Sequence, residues 1–365
     1  MRADRIVARG FRNLADLDFS LPPDGAVFLG RNGQGKTNLL ELLYYPVLFR
    51  SLRGARDIDV TRHGEAGFEL TLYLEEGHRP RELSAGFRCL GKKKRIALDG
   101  AAPARLGDAL GRWLAVAFLP TDLRLVHGTA LERRQFLDRV LSLADREYLR
   151  SLTRYRAALA QRNGALRQRR TDLARAFDPA LAMAGAALIR ARLAWVRAHG
   201  EAFTTTCVAL GETSEVTLRY HGDAALAQAD YWQEALSRSA SRDESLGATS
   251  VGPHRHDLEL RIDGRALRQV GSTGQQRTAA VALKFCERET LAAASGSEPA
   301  LLLDDVFAEL DADRQARLAA RLLAGGARQT FITSPREDEL PEGFHLETLL
   351  VEEGRVSGTL RPAET

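Results

Sequence analysis

Cysteine is scarce in this sequence of 365 residues, and its spacing argues against two classes of site. The three cysteines, Cys89, Cys207 and Cys286, form no CxxC pair, so neither a disulfide framework nor a thiolate zinc site is predicted. Long apolar stretches are missing as well. No uninterrupted run of about 18 apolar residues occurs, and the N-terminus, MRADRIVARG, has no hydrophobic signal core. These absences predict a cytoplasmic protein with no membrane segment.

Lysine is also rare, since it accounts for only five of the 52 basic residues. The arginines are unevenly placed: residues 122–200 contain 16 arginines and 7 carboxylates, a net charge of +9 in a chain whose total is +4. A GC-rich genome would favour arginine throughout, but it does not explain this concentration. Such a segment is typical of proteins that bind a phosphate backbone, although any single arginine in it is better explained by a solvated helix surface.

Glycine is concentrated between residues 30 and 37, where GRNGQGKT matches the phosphate-binding pattern GxxxxGK[ST] without a mismatch. GAVFLG before the loop has the pattern of a buried strand, and TNLLELLYYPVL after it has helical apolar spacing. A strand–loop–helix unit of this kind points backbone N–H groups at phosphate. Lys36 is expected to reach the β- and γ-phosphates of ATP and Thr37 to ligate Mg²⁺. The predicted nucleotide-binding residues of the loop are Gly30, Arg31, Asn32, Gly33, Gln34, Gly35, Lys36 and Thr37.

A second strand, ALLLDD at residues 300–305, ends in two carboxylates. Ligands bind at the carboxyl ends of strands in open α/β sheets, so Asp304 is expected to complete the Mg²⁺ shell and Asp305 to polarise the attacking water. A strand that ends in a solvated acidic turn is the alternative, and it explains a pair of acids less well than a single one. The long separation between Lys36 and Asp304 indicates a large insertion.

The stretch STGQQ lies upstream of this strand, at the start of a predicted helix. The pattern SxGQ, followed by the acidic strand and by AELD at residues 308–311, resembles the signature and D-loop of ABC-type ATPases. In that family the signature of one subunit closes over the ATP held by the other, which implies this role for Ser272, Gly274 and Gln275, with Asp311 in the D-loop. Taken alone, STGQQ favours an N-capped helix and nothing more. In order with the glycine loop and the acidic strand, the ABC interpretation is preferred.

The insertion itself has helical patterns. Apolar residues recur at heptad-like spacing from Leu131 to Leu173, Pro179 breaks the pattern, and a second helical segment runs to Gly200. We expect the two helices to pack as an antiparallel hairpin that carries much of the basic charge. The candidate DNA-contacting residues are Arg133, Arg134, Arg162, Arg167, Arg169 and Arg170.

Residues 56–118 have strand patterns, because FELTLYLEE alternates and GKKKRIALDGAA has the pattern of a strand that runs into an Asp-Gly turn. The basic run at residues 92–95 is more typical of a solvated edge strand than of a DNA contact. Together with the resemblance to ABC-type ATPases, these patterns imply an α/β fold: an ABC-type (SMC-like) ATPase head with a β-rich subdomain, plus an inserted, mostly α-helical arm domain. The head is expected at residues 1–121 and 250–365, and the arm at residues 122–249.

Over nearly its full length the chain resembles the RecF family of bacterial recombination and gap-repair ATPases, which are related to SMC-type heads. The resemblance rests on GFRNL, GRNGQGKTNLLE, FRSLRGARD, FLPTDLRLVHGTALERRQFLD, RYRAALAQRN, GPHRHDLEL, STGQQRT and LLLDDVFAELD. It implies an ATP- and Mg²⁺-dependent homodimer at the nucleoid that binds double-stranded DNA and favours gapped DNA. It also implies slow, DNA-stimulated ATP hydrolysis and a RecR-type mediator as partner in loading RecA.

Arg12 in GFRNL matches a position that touches the nucleotide in SMC-like heads. His256, which precedes Asp257, stands where the family usually has Asp after GPHR. Three alternatives remain open. The first is the nucleotide-binding subunit of a transporter, which would lack a basic helical arm, and the second is a monomeric nucleotide enzyme, in which the signature would have no use. The third is a non-enzymatic DNA-binding module, because a slow ATPase can serve chiefly as a timer.

Overall fold

The structure is a computed structural model that describes residues 2–77, 79–308, 311–324, 329–340 and 345–360. The chain forms two compact units, one of Met1–Thr121 with Leu291–Thr365 and the other of Asp122–Thr290. Its strands are β1 (Arg2–Arg9), β2 (Leu17–Ser20), β3 (Gly25–Leu29), β4 (Gly67–Glu76), β5 (Arg79–Arg88), β6 (Lys93–Leu98), β7 (Ala115–Phe118), β8 (Val216–His221), β9 (Asp257–Ile262), β10 (Arg265–Ala266), β11 (Ala300–Asp304), β12 (Thr330–Ser334), β13 (Glu347–Glu352) and β14 (Arg355–Leu360). Its helices are α1 (Lys36–Leu48), α2 (Asp57–Val60), α3 (Leu106–Ala109), α4 (Arg124–His127), α5 (Ala130–Ala144), α6 (Arg146–Arg167), α7 (Thr171–Arg175), α8 (Asp178–Ala209), α9 (Asp230–Leu246), α10 (Leu267–Val270), α11 (Thr273–Ser295) and α12 (Ala312–Ala324).

The first unit is built on a six-stranded sheet of order β14-β13-β3-β12-β11-β7. Its strands are parallel except β14, which pairs antiparallel with β13. The predicted strands before the glycine loop and before the acidic pair are confirmed as β3 and β11. Both are buried along most of their length, as expected for central strands of a parallel sheet covered on both faces. Since β12 lies between them, the loop and the acids emerge at one edge on either side of β12.

A second sheet of the same unit, of order β2-β1-β4-β5-β6, is antiparallel throughout and forms the predicted β-rich part. β4 alternates between buried and more exposed positions, as its sequence predicted. β6 is an edge strand that ends in a turn at Asp99 and Gly100, both with positive φ. Lys92, Lys93 and the following basic residues are exposed along this edge, where like charges discourage pairing with another strand.

The second unit contains α4 to α11 up to Thr290 and a three-stranded sheet of order β10-β9-β8. The expectation of one continuous heptad helix from Leu131 is wrong. Asp145 has extended backbone angles, ends α5 and caps α6 by accepting a hydrogen bond from the Glu147 N–H at 2.8 Å. A second break follows α6, where Arg169 has a φ of 57°. Residues 250–290 belong to the same compact unit as the insert. The boundary between the arm and the head at residue 249 stays a prediction.

α8 is a 32-residue helix that is long and apolar enough to cross a membrane by length and composition, a test that core helices of soluble proteins also pass. Leu188, Ile189 and Phe203 on this helix are fully buried in the core of the second unit. Arg192 in the same helix is buried as well, and it donates a hydrogen bond to Asp138 at 2.7 Å. Apolar side chains of α8 thus pack inside the protein.

Candidate functional site

The glycine loop between β3 and α1 has a backbone shape that requires glycine. Gly33 has a φ of 82°, and Gly35, the N-cap residue of α1, has a φ of 111°; both values favour glycine strongly over other residues. A Cβ at Gly33 would meet nothing within 4 Å, so the loop is open on that side. Gly35, by contrast, lies against Leu14 and Gly354. One side of the loop is therefore packed and the other is accessible.

Neighbouring segments hold the loop in place through Gln34. Its carbonyl accepts the Gly354 N–H at 2.9 Å, and its side-chain oxygen accepts the Glu353 N–H at 2.7 Å. From the other side, the Asn13 amide donates to the Gly33 carbonyl at 3.2 Å. The glycine loop is thus hydrogen-bonded to two segments that are distant from it in sequence: the turn between β13 and β14, and the segment after β1.

Lys36, the first residue of α1, is almost fully buried. Its ammonium donates to the carbonyls of Gly30 at 2.5 Å and Arg31 at 3.2 Å. The charge is therefore held inside the curve of its own loop. This is the position from which a lysine of this motif meets bound phosphate.

The structure joins the loop to the acidic strand, as the sequence predicted. The Thr37 hydroxyl donates to Asp304 Oδ1 at 2.9 Å, across 267 positions of sequence. Thr333, at the end of β12, donates to the same oxygen at 2.8 Å and accepts the Asp305 N–H at 3.1 Å. No role was predicted for Thr333 from the sequence. Its link to both acids comes from the strand order.

Asp305 is strained and has an oxygen without a partner. Its φ is 45°, a left-handed value that costs free energy in a residue other than glycine. Within the part of the chain that the structure describes, its buried Oδ1 atom has no hydrogen-bond partner. Burial, with the adjacent charge of Asp304, raises the pKa of Asp305 above its ordinary value. Features of this kind cluster at functional sites.

Arg12 is held by a carboxylate that the sequence analysis did not single out. Its guanidinium donates twice to Glu41, at 2.9 Å each, and once to the Asp59 carbonyl at 2.8 Å. Glu41 is fully buried on α1. Burial alone would raise the pKa of Glu41, but hydrogen bonds from Arg12, Arg53 and Ser51 outweigh it and lower that pKa. The sequence signal that could have predicted this contact is the position of Glu41 among the leucines of α1.

The predicted signature begins α11 and is also an N-cap, so both interpretations of STGQQ are compatible with the structure. The Ser272 N–H donates to Gln275 Oε1 at 3.0 Å, and the Gln275 N–H donates back to Ser272 Oγ at 3.2 Å. Ser272 and Thr273 are exposed. Asp311, the predicted D-loop residue, caps α12 by accepting the Arg314 N–H at 2.8 Å. Residues 309 and 310 of the D-loop lie outside the described residues.

Two of the six arginines predicted to contact DNA are buried, and their assignment to a DNA surface was wrong. Arg133 is 3% exposed and donates to both oxygens of Asp257, at 2.8 and 2.7 Å. Arg162 is 4% exposed and donates to Asp178 and Asp243, at 2.8 Å each. Charge counting does not reveal which face of a helix is internal.

The other four arginines are at least partly accessible. Arg134 is half-buried and donates to the His256 carbonyl at 2.7 Å. Burial lowers the pKa of Arg134, with a further contribution from the nearby Arg192. Arg167, Arg169 and Arg170 are exposed at the end of α6 and in the turn after it. Three of the six predicted arginines are thus exposed at the C-terminal end of α6 and just after it, and further arginines are exposed earlier along the helix: Arg146, Arg150, Arg154 and Arg156.

His256 is an interior residue. Its Nδ1 lies 2.9 Å from the Tyr220 hydroxyl, and its Nε2 accepts the Asp223 N–H at 3.3 Å, so the ring proton is on Nδ1. A Cβ at Gly222 would come within 2.2 Å of the ring, so glycine is needed there. Burial, together with the nearby Arg192, lowers the pKa of His256 to about 4. The carboxylate that binds Arg133 in this region comes from the next residue, Asp257.

No protein-family model matches the chain, but individual proteins do. It is 33% identical over 365 residues to the DNA replication and repair protein RecF of Geotalea daltonii, covering 98% of this chain and 100% of that one. It is 35% identical over 349 residues to the protein of the same name from Myxococcus xanthus, covering 92% of this chain and 91% of that one.

Solved structures agree with these relatives. A structure described as the recombination mediator protein RecF-ATP in the RecFOR pathway matches with a TM-score of 0.89 at 28% identity, over 98% of this chain and 97% of that one. An Smc head domain from Pyrococcus furiosus matches with a TM-score of 0.56 at 13% identity, over 97% and 95% of the chains, which shows the fold alone. The predicted α/β ABC-type, SMC-like head with its helical insert is therefore confirmed. The chain belongs to the RecF family.

Proposed function

We propose that this protein is an ATP-dependent DNA-binding clamp of recombinational gap repair. The observation that carries the proposal is the 2.9 Å contact that joins Thr37 of a phosphate-binding loop to Asp304 of the acidic strand. The solved relative described as a RecF-ATP recombination mediator of the RecFOR pathway supports ATP as ligand and gap repair as setting. The match over nearly all of both chains favours this function over a transporter subunit or a monomeric nucleotide enzyme.

The residues present fit ATP and Mg²⁺. The loop from Gly30 to Thr37 is open at Gly33, and Thr37 and Asp304 supply a hydroxyl and a carboxylate oxygen, ligands that Mg²⁺ prefers. Bound there, Mg²⁺ would offset charge on the phosphate oxygens. Lys36 exchanges its two carbonyl contacts for phosphate when nucleotide enters. Arg12 also contacts the nucleotide in this proposal, in competition with its bonds to Glu41.

Asp305 accepts a proton from the attacking water or orients it. The unpartnered Oδ1 atom provides the acceptor, and the raised pKa brings this carboxyl closer to the working pH than an ordinary aspartate. Hydrolysis is slow and stimulated by DNA, because its task is to open a clamp and not to turn over a metabolite.

The nucleotide lies in a homodimer interface. Ser272, Gly274 and Gln275 of one subunit contact the γ-phosphate bound by the other, and Asp311 belongs to the same interface. The exposure of Ser272 and of the start of α11 supports this role, since the cap leaves the serine hydroxyl accessible. Loss of the γ-phosphate removes the contact and the dimer opens.

Double-stranded and gapped DNA binds to the arm at residues 122–249, with Arg134, Arg167, Arg169 and Arg170 as contacts to phosphates. By function we assign residues 1–121 and 250–365 to the head, although residues 250–290 belong to the same compact unit as the arm. The protein acts in the cytoplasm at the nucleoid, where a RecR-type mediator joins it to assist RecA loading at gaps. The segmental charge of +9 supports the DNA contact.

Sedimentation velocity with and without ATP-Mg²⁺ and a short duplex tests the proposal. We expect a monomer that dimerises only with ATP and binds duplex more tightly as it does. A monomer that ATP leaves unchanged, at concentrations where ATP binding is saturated, would overturn the clamp and leave a monomeric P-loop enzyme.

A further inference from the structure

Glu212 occupies a rigid position at the end of the long helix α8. The Gly211 N–H bonds the Val208 carbonyl at 2.9 Å, and the Glu212 N–H bonds the Cys207 carbonyl at 3.0 Å, with Gly211 at a φ of 95°. This is the Schellman arrangement that ends many helices. Glu212 is therefore fixed by the backbone of α8 and not by a mobile loop.

The Glu212 side chain points to the signature. It is 5% exposed, and its Oε1 atom accepts three N–H groups: Thr213 at 3.1 Å, Ser214 at 3.3 Å and the Gln275 side chain at 3.2 Å. Its Oε2 atom is buried and has no hydrogen-bond partner within the described residues. Burying a carboxylate costs folding free energy unless its contacts compensate. A buried carboxylate with an unpaired oxygen therefore needs an explanation.

Contact with Glu212 decides which way the Gln275 amide faces. An ionised carboxylate can only accept hydrogen bonds, so the NH₂ group of Gln275 must face Glu212 and its oxygen must face the Ser272 N–H. A flipped amide would set two acceptors together at Glu212 and two donors together at Ser272. Both contacts would then be lost at once.

The same arrangement sets the role of the Ser272 hydroxyl. Ser272 Oγ accepts the Gln275 N–H at 3.2 Å, so its own hydrogen is left to donate outward from an exposed residue. A donor at the exposed N-terminus of α11, a helix of 23 residues, suits an anion. The buried carboxylate thus sets the orientation of the Gln275 amide, and the backbone N–H of Gln275 sets the serine hydroxyl as a donor.

We propose that Glu212 is a positioning residue of the signature, which orients Gln275, and through it Ser272, toward the ATP held by the partner subunit. The inference rests on the proposed function, because it assigns a further residue to the same interface. It also ties the signature to the end of α8, so a displacement of that end is passed directly to Gln275.

Two conservative variants distinguish positioning from a mere need for charge. Glu212→Gln removes the charge but keeps an oxygen facing Gln275, because the Thr213 and Ser214 N–H groups require an acceptor at that position. Glu212→Asp keeps the charge but shortens the side chain. We expect E212Q to retain ATP-dependent dimerisation within about twofold and E212D to weaken it by about tenfold, the usual cost of losing a hydrogen bond to a charged group. ATP binding by the monomer should be unchanged in both. Glu215→Ala, at an exposed acid three residues on, is the matched control.

A double-mutant cycle adds a readout that loss of folding cannot imitate. If Glu212 acts through Gln275, the variant E212D/Q275A should dimerise as weakly as Q275A alone, with melting temperatures close to that of the native protein. Additive losses, or E212D equal to wild type while S272A and Q275A are impaired, would overturn the positioning role. Normal dimerisation of S272A and Q275A themselves would instead overturn the proposed signature.

Discussion

At the scale of single residues, Thr333 and Asp305 explain how the proposed phosphate site is assembled. Thr333 contacts both acids: its hydroxyl donates to the Asp304 carboxylate and accepts the Asp305 N–H. That second contact anchors a residue with a φ of 45° and an unpartnered carboxylate oxygen in the described structure. Strain held by neighbouring bonds is typical of preorganised sites.

Asp305→Asn should still dimerise on DNA with ATP but fail to release it, because the amide cannot accept the proton of water. In the native protein, hydrolysis should fall as the pH is lowered through a value above 3.8, since the base acts only when ionised and burial raises its pKa. Single-turnover hydrolysis across pH, with and without DNA, measures both effects. Normal turnover by D305N would assign the base elsewhere.

His256 makes folding sensitive to acid. Its pKa is about 4 in the folded protein, against 6.5 for a free histidine, so the unfolded chain binds an extra proton between these values. Stability should therefore fall as the pH drops from 6.5 towards 4, by roughly 3 kcal/mol at most from this residue. Urea unfolding at pH 7 and 4.5 should show a smaller loss for His256→Gln than for the native chain.

His63 provides the control, because its side chain is exposed. His63→Gln should lose as much stability between the two pH values as the native chain does. An equal loss in H256Q would mean that acid sensitivity arises from other groups, such as His254, whose pKa burial also lowers to about 4.

At the scale of elements, α6 separates two kinds of arginine. Arg162 is inside the second unit, where it joins Asp178 on α8 to Asp243 on α9. Arg167 ends the helix and is exposed, as are Arg169 and Arg170 in the next turn. The buried arginine holds elements together, and the exposed ones are available to an anionic partner.

The two kinds should respond differently to substitution. Replacing Arg169 and Arg170 by Ala should weaken duplex binding and lower its salt dependence by about one unit of slope per lost phosphate contact, with little effect on stability. Arg162→Ala should cost about 3–5 kcal/mol of folding free energy, because it leaves Asp243 buried without its charge partner. Salt titrations of DNA binding and urea unfolding measure these effects. Unaltered DNA binding in the double variant would remove this turn from the DNA surface.

At the scale of the whole molecule, the proposal makes ATP part of a dimer interface, so nucleotide binding and assembly are linked by mass action. Lys36→Ala removes the ammonium that lies within the loop, and we expect it to abolish ATP-driven dimerisation while the protein stays folded. Sedimentation and circular dichroism of this variant test the link. A dimer of K36A that persists with ATP would show that the mechanism is wrong.

The sequence by itself determined the features that depend on short-range chemistry. The glycine loop, the apolar strand with its two acids, the reciprocal cap at Ser272 and Gln275 and the Asp-Gly turn after β6 all follow from residues a few positions apart. Backbone sterics and local hydrogen bonds fix these features, so their patterns can be recognised in a single sequence.

Tertiary structure alone decided which distant residues meet. The insertion of β12 between β3 and β11 brings Thr333 to the acids, and the packing of the second unit buries Arg133 and Arg162 against carboxylates far away in sequence. The contact of Glu212 with Gln275 also spans 63 positions. Charge and periodicity are properties of a segment by itself, whereas burial depends on the segments that pack against it. The contacts of these residues could therefore be identified only in the folded chain.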